Sequence, residues 1–160
     1  MGTRGDLYVK SKGDTAIEIN RYFIDGDAYI DDAGLKGIIS RASALVKESK
    51  AGSIINGMIV DRPNGFYLEN MNRDGGYTYI LDQIEETITF GYKYSGDDSW
   101  CIKMSIAEFI GTDLKEVDYI KMPGRLDWKI ELDKLNFFMN NPVSDSILIE
   151  EMKKRGLKVD

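Results

Sequence analysis

No histidine occurs in the 160 residues, and cysteine occurs once, as Cys101. Imidazole is the usual general base near neutral pH and the commonest metal ligand, and zinc sites need several Cys or His ligands. A Ser-His-Asp triad, a Cys-His dyad and a structural zinc site are therefore excluded within this chain. A lone cysteine forms no internal disulfide, which fits a reducing compartment. Without an imidazole beside it, Cys101 reads as a structural thiol inside the strand-like run Trp100-Cys101-Ile102-Lys103-Met104. No stretch approaches the roughly 18 apolar residues of a membrane span, and the start lacks the charged and apolar regions of a secretion signal. The expected location is the cytoplasm, that of the host cell if the chain is phage-encoded, with no membrane contact.

Positive charge is also scarce. The net charge is −6, and residues 81–160 carry 11 Lys and Arg against 16 Asp and Glu, while residues 1–80 carry 10 against 11. Direct nucleic-acid binding is not expected, because attraction to phosphates needs clustered cations that release counterions. Lys153-Lys154-Arg155 is the one basic cluster, and its place at the end of a helix suits the helix dipole. No cofactor is implied. What is plentiful is apolar: 42% hydrophobic residues, with 11% aromatic, suffice for the core of one domain.

Periodicity gives the elements. Leu7-Tyr8-Val9-Lys10 and Ala16-Ile17-Glu18-Ile19 flank the turn Lys12-Gly13-Asp14 as a hairpin whose second strand runs on through Tyr22 and Phe23. Asp31 and Asp32 suit the N-cap of a long helix over about 32–50, in which Leu35, Ile38, Ile39, Ala42, Leu45 and Val46 form one stripe opposite Lys36, Arg41, Lys47 and Glu48. Ile54 to Val60 fits a helix or a strand equally. Phe66 to Ser105 reads as an antiparallel meander, with Ile88, Phe90, Tyr92 and Tyr94 alternating with polar residues and Trp100, Ile102 and Met104 returning. Ser105 and Glu108 fit a capping box for a short central helix. Trp128, Ile130 and Leu132 alternate with Lys129, Glu131 and Asp133 as a further strand with one wet face. A C-terminal helix follows, capped at Ser144 or Asp145, carrying Ile147, Leu148 and Met152 and stopped by Gly156. Together these predict a single α+β domain over 1–160, with a mainly antiparallel sheet.

Two groups of residues are candidates for function. Asp25, Asp27 and Asp31, with Asp32, are the densest carboxylates, and hard cations such as magnesium take oxygen ligands of this kind. The EF-hand pattern fails, since the sixth and twelfth positions counted from Asp25 are Ile30 and Lys36, and turn and capping roles account for all four aspartates. Glu85-Glu86, Asp97-Asp98 and the set Asp127, Glu131 and Asp133 could supply a metal-dependent nuclease or an acid/base pair; Glu131 and Asp133, beside Lys129, loosely match a nuclease grouping and equally match a solvated strand face. The aromatic residues are the second group. Tyr77, Tyr79, Tyr92, Tyr94, Trp100 and Trp128 exceed what one face of a small core holds, and Tyr and Trp concentrate at the centres of protein interfaces. An acidic protein with an aromatic sheet suits a protein partner with a basic surface, or a homo-oligomer.

Met1-Gly2-Thr3-Arg4-Gly5, followed directly by a hairpin, resembles the start of a group of small, mostly uncharacterised proteins of phages and prophages. In that group the second strand of the hairpin leads through a polar-aromatic segment into a helix, which is similar to Asn20-Arg21-Tyr22-Phe23 here. Tyr77-Thr78-Tyr79-Ile80-Leu81-Asp82 followed by Thr87-Ile88-Thr89-Phe90 also resembles it. The likeness covers about a third of the chain. The group often carries a histidine in the polar-aromatic segment, where this chain has Arg21-Tyr22, so no role of that histidine transfers. An N-terminal nucleophile mechanism does not fit, because loss of Met1 would expose Gly2 and leave Thr3 without a free amine. The resemblance implies a phage accessory protein acting by protein binding, such as an inhibitor of a host defence system like CRISPR. The competing expectations are a metal-dependent hydrolase or nuclease built on the aspartates, and a homo-oligomeric virion or assembly component.

Overall fold

The expected hairpin forms from β1 (Gly5–Lys12) and β2 (Ile17–Ile24), paired antiparallel with Leu7 opposite Tyr22 and Lys10 opposite Ile19. The computed structural model describes residues 4–13, 16–30, 33–68, 77–92, 100–112, 126 and 128–140. Gly13 N–H donates to Ala16 C=O at 2.8 Å to close the turn. Helices α1 (Leu35–Lys47) and α2 (Ile54–Asp61) follow, then β3 (Phe66–Leu68), β4 (Tyr77–Asp82), β5 (Thr87–Tyr92) and β6 (Trp100–Ser105), and finally α3 (Ile106–Gly111) and α4 (Trp128–Asn140). The fold is α+β, with one six-stranded mixed sheet in the order β3-β2-β1-β4-β5-β6. Every pairing is antiparallel except β1 with β4, which run parallel with Leu7 beside Tyr79 and Val9 beside Leu81.

Helices α1, α2 and α3 cover one face of the sheet. Leu7, Val9, Tyr79, Leu81, Ile88, Phe90 and Ile102 meet Leu35, Ile38, Ile39 and Ala42 of α1, Ile55 and Met58 of α2, and Phe109 of α3 in one core. Each such Leu, Ile, Met or Phe contributes about 1.5–3 kcal/mol by leaving water. Of the stripe expected on α1, Leu35, Ile38, Ile39 and Ala42 are buried and Leu45 and Val46 half-buried, and Lys36, assigned to its wet side, is buried as well. Ser53 settles the ambiguity of the next segment in favour of helix. Its Oγ accepts from Asn56 N–H at 3.3 Å, and Ile54, Ile55 and Met58 then face α1 and the sheet. The capping role of Ser105 is also present, with its Oγ accepting from Glu108 N–H at 3.0 Å. Gln83, in the β4–β5 turn, ties three elements together: Oε1 accepts from Ile55 N–H at 3.0 Å, Nε2 donates to Ser11 Oγ at 2.7 Å, and the backbone N–H donates to Lys10 C=O at 2.9 Å.

Four expectations are corrected. The stretch from Phe66 does not open a meander: β3 pairs with β2 at the far edge, and only β4, β5 and β6 meander. Sequence alternation gives a strand but not its neighbour, and insertion of β4 beside β1 makes the sheet mixed. The long helix starts at Leu35, after an N-cap at Gly34 that has no side-chain cap. Gly34 serves there by close approach, since a Cβ would stand 2.2 Å from Tyr29 C=O oxygen, whose lone pair accepts Leu35 N–H at 2.6 Å. Asp31 and Asp32 lie outside the described residues. Trp128 to Leu132 is the start of helix α4, not a strand. Its buried positions Trp128, Glu131 and Leu135, with half-buried Leu132, follow helical spacing, whereas Ile130 is 55% exposed. Last, the sheet has no wet face over its middle, because α4 lies on the side opposite α1, with Trp128 and Leu135 against Ile80 and Cys101. The expected C-terminal helix over 144–156, the Lys153-Lys154-Arg155 cluster and Asp97-Asp98 lie outside the described residues. No described helix is long and apolar enough to cross a membrane.

Candidate functional site

Asp25-Gly26-Asp27 forms a tight turn after β2. Gly26 has φ 105° and Asp27 φ 55°, the left-handed region that Gly adopts freely and Asp tolerates among side chains. Asp25 is exposed, while Asp27 is engaged: Arg62 Nη1 donates to its Oδ2 at 3.0 Å. Asp31, the third proposed ligand, lies outside the described residues. Among the described residues no group of three or more Asp, Glu or Cys is placed to hold a metal ion. Of the second carboxylate grouping, Asp127 lies outside the described residues, and helix α4 separates the other two. Two helical residues apart, Glu131 and Asp133 point to different sides, the first buried and the second exposed.

The six aromatic candidates divide. Tyr79 is wholly buried, with its hydroxyl donating to Ala28 C=O, and Trp128, the first residue of α4, is buried against Ile80 and Cys101 of the sheet, so both belong to the core and not to a partner surface. Tyr94 lies outside the described residues. Tyr77, Tyr92 and Trp100 share one cross-strand row at the end of the sheet, because Tyr77 is opposite Tyr92 and Tyr92 opposite Trp100. Tyr29, which the sequence did not single out, stands at the head of this row. The residue is 42% exposed, and its ring meets Tyr77 edge to face at 6.2 Å between centroids. The fixed turn at Gly26-Asp27 and the hydrogen bond from Leu35 N–H to Tyr29 C=O hold that segment against the sheet.

The face beneath α4 is unusually polar for a sheet interior. Asp6 is buried and accepts from Arg21 Nη2 at 2.9 Å, and the guanidinium also lies 5.7 Å from the Tyr8 ring centroid. Further along, Lys10, Asp82, Thr87, Thr89 and Lys103 from the sheet, Glu85 from the β4–β5 turn, and Glu131, Lys134 and Leu135 from α4 line a cleft of about 50 Å³. Its charges are paired: Lys10 Nζ with Asp82 Oδ2 at 3.5 Å, Lys103 Nζ with Glu85 Oε2 at 3.0 Å, and Lys134 Nζ with Glu131 Oε2 at 3.2 Å. Asp82 also organises the turn, its Oδ1 accepting from Ile84 N–H and Glu85 N–H. Thr78 Oγ1, Thr87 Oγ1 and Trp128 Nε1, all buried on this side of the sheet, have no hydrogen-bond partner among the described residues. Of the cleft's charges, the sequence offers Glu85 and Glu131 as candidate carboxylates. The six charges sit on β1, β4, the β4–β5 turn, β6 and α4, and the register of the strands together with the packing of α4 brings them together.

No family model, no curated protein and no solved structure matches this chain.

Proposed function

We propose that this chain is a small acidic accessory protein of phage type that acts by binding another protein, its specific form being inhibition of a host defence system such as CRISPR. The observation that carries the reading is the exposed Tyr29 ring, locked edge to face on Tyr77 at the head of the row that continues through Tyr92 and Trp100. A rigid aromatic anchor loses little conformational entropy on contact, which is why such residues dominate binding energy at interface centres. The net charge of −6 adds attraction toward a basic partner, the kind of surface a nucleic-acid-binding nuclease presents. The likeness of the first residues and hairpin to phage proteins supports the same class.

The test has two arms. Expression in cells whose CRISPR system targets a phage should restore plating of that phage, and the purified protein should co-elute with the purified effector. Tyr29→Ala should weaken the complex by about 30-fold, the loss of one aromatic anchor of about 2 kcal/mol. Failure of both arms with the wild-type protein would overturn the defence-inhibitor form. Self-association that Tyr29→Ala abolishes would instead assign the row to a second copy of the chain.

A further inference from the structure

We infer that the cleft between α4 and the sheet is a binding site for a small zwitterion, a free α-amino acid no larger than glycine or alanine. Three properties of the cleft lead to it: its depth profile, its unused hydrogen-bonding capacity and its size.

The balance of charge changes with depth. Lys10 and Asp82, with side-chain exposures of 10% and 9%, pair with each other deep in the cleft; beside them the carboxylates of Glu85 and Glu131 are deep at 7% and 10%, while their lysine partners Lys103 and Lys134 at the mouth are each 28% exposed. A cation alone would meet the lysines first, and an anion alone would face the carboxylates behind them. A molecule carrying both charges satisfies the gradient in one orientation, its carboxylate outward against Lys103 and Lys134 and its ammonium inward toward Glu131.

The groups retain capacity for this without breaking their pairs. An ammonium has three donors and a carboxylate about four acceptor positions. Lys103 and Lys134 each direct one donor to a carboxylate, and Glu131 receives one. Thr87, on the cleft wall, has a buried Oγ1 with no partner among the described residues, and Thr89 lies beside it on the same face of β5. Buried hydroxyls are ordinarily satisfied, so an unsatisfied one on a charged cleft marks a place where a polar molecule is accommodated. The volume of about 50 Å³ corresponds to roughly three or four water positions, which suits glycine and allows a methyl group against Ile80 and Leu135.

This site lies on the opposite side of the sheet from Tyr29 and Tyr77 and rests on different residues, so its fate and that of the partner-binding reading are separable. The experiment is titration of the full-length, ¹⁵N-labelled protein with glycine and L-alanine, followed by amide shifts and by calorimetry. Saturable shifts are expected at Thr87, Thr89 and Lys103 and across 131–135. Acetate and methylammonium, each carrying half of the ligand's charge, should bind at least about tenfold more weakly, as should glycine to Lys134→Met or Glu131→Gln, each lacking one charge-assisted hydrogen bond. Inorganic phosphate and L-tryptophan should give no saturable response. Both variants change residues of α4 that pair only with each other among the described residues, and unchanged amide dispersion would establish that they fold. Absence of saturation with glycine and alanine at tens of millimolar, or an equal response to acetate, would overturn the proposal and leave the cleft a set of structural ion pairs.

Discussion

The close seating of α2 on α1 at Gly57 sets a sharp test of the packing. Gly57 lies inside α2, where alanine ordinarily gains about 1 kcal/mol by helix propensity. Here a Cβ at Gly57 would stand 2.9 Å from Ala42 Cα, 2.9 Å from Ala42 C=O oxygen and 3.0 Å from Ala42 Cβ. Carbon atoms in contact prefer about 3.5–4.0 Å, so the helices must part by several tenths of an ångström. The atoms in the way include helix backbone, which cannot rotate aside as a long side chain would. Separation also loosens Ile55 and Met58 where they pack with Ile38, Ile39 and Ala42. An overpacking cost of about 2–3 kcal/mol, less the propensity gain of about 1, leaves Gly57→Ala destabilised by about 1–2 kcal/mol. For a chain of this size that lowers Tm by roughly 2–8 °C. Gly111 is the control: at the end of α3 an added Cβ meets nothing within 4 Å, so Gly111→Ala should leave stability unchanged or raise it by up to about 1 kcal/mol. Urea and thermal unfolding of the two variants beside the wild type measure both signs. Gly57→Ala with stability equal to or above wild type would refute the close seating of α2 on α1.

Two further outcomes follow from Tyr79, buried in the core, and Tyr22, half-buried at its edge. Tyr79→Phe removes the donor to Ala28 C=O in the core and should cost about 1–3 kcal/mol in urea unfolding, because the carbonyl is left without that partner. No change on that substitution would mean that Ala28 C=O finds another donor. Burial raises the Tyr22 phenol above its ordinary value of 10.0. The folded state therefore favours the protonated form, so the contribution is fully present below about pH 10 and is lost as pH rises through the higher folded value. Tyr22→Phe should remove that part of the alkaline loss of stability, and an absorbance titration of phenolate should lack one late-titrating group; identical alkaline curves for both proteins would contradict it.

Where local pattern and tertiary environment agreed, elements were legible. The stripe of α1, the hairpin, the β4–β5–β6 meander and the Ser105 cap are all encoded within a few residues. The ends of α1 were less legible, because its start depends on Gly34 fitting against Tyr29 C=O, a contact across a loop. The segment from Trp128 misled because its first five residues satisfy a two-residue alternation and a helical one together; Leu135, seven residues on from Trp128, carries the distinction. Of the candidate residues, the row of Tyr77, Tyr92 and Trp100 was foreseeable as aromatic surplus but not as a row, and Tyr79 and Trp128 could not be told from it by residue type.

By itself the sequence determined the residue chemistry open to this protein and the class of its fold. Lack of histidine and of a second cysteine removes whole mechanisms whatever the conformation, and hydrophobic periods of two and of 3.6 residues select strands and helices locally. Only tertiary structure decided which strand lies beside which, and therefore which side chains meet. The parallel pairing of β1 with β4 places Lys10 beside Asp82, and α4 lays Glu131 and Lys134 over Thr87 and Thr89. Such contacts join residues tens of positions apart, and they arise from how whole apolar faces are buried together rather than from any short stretch of chain.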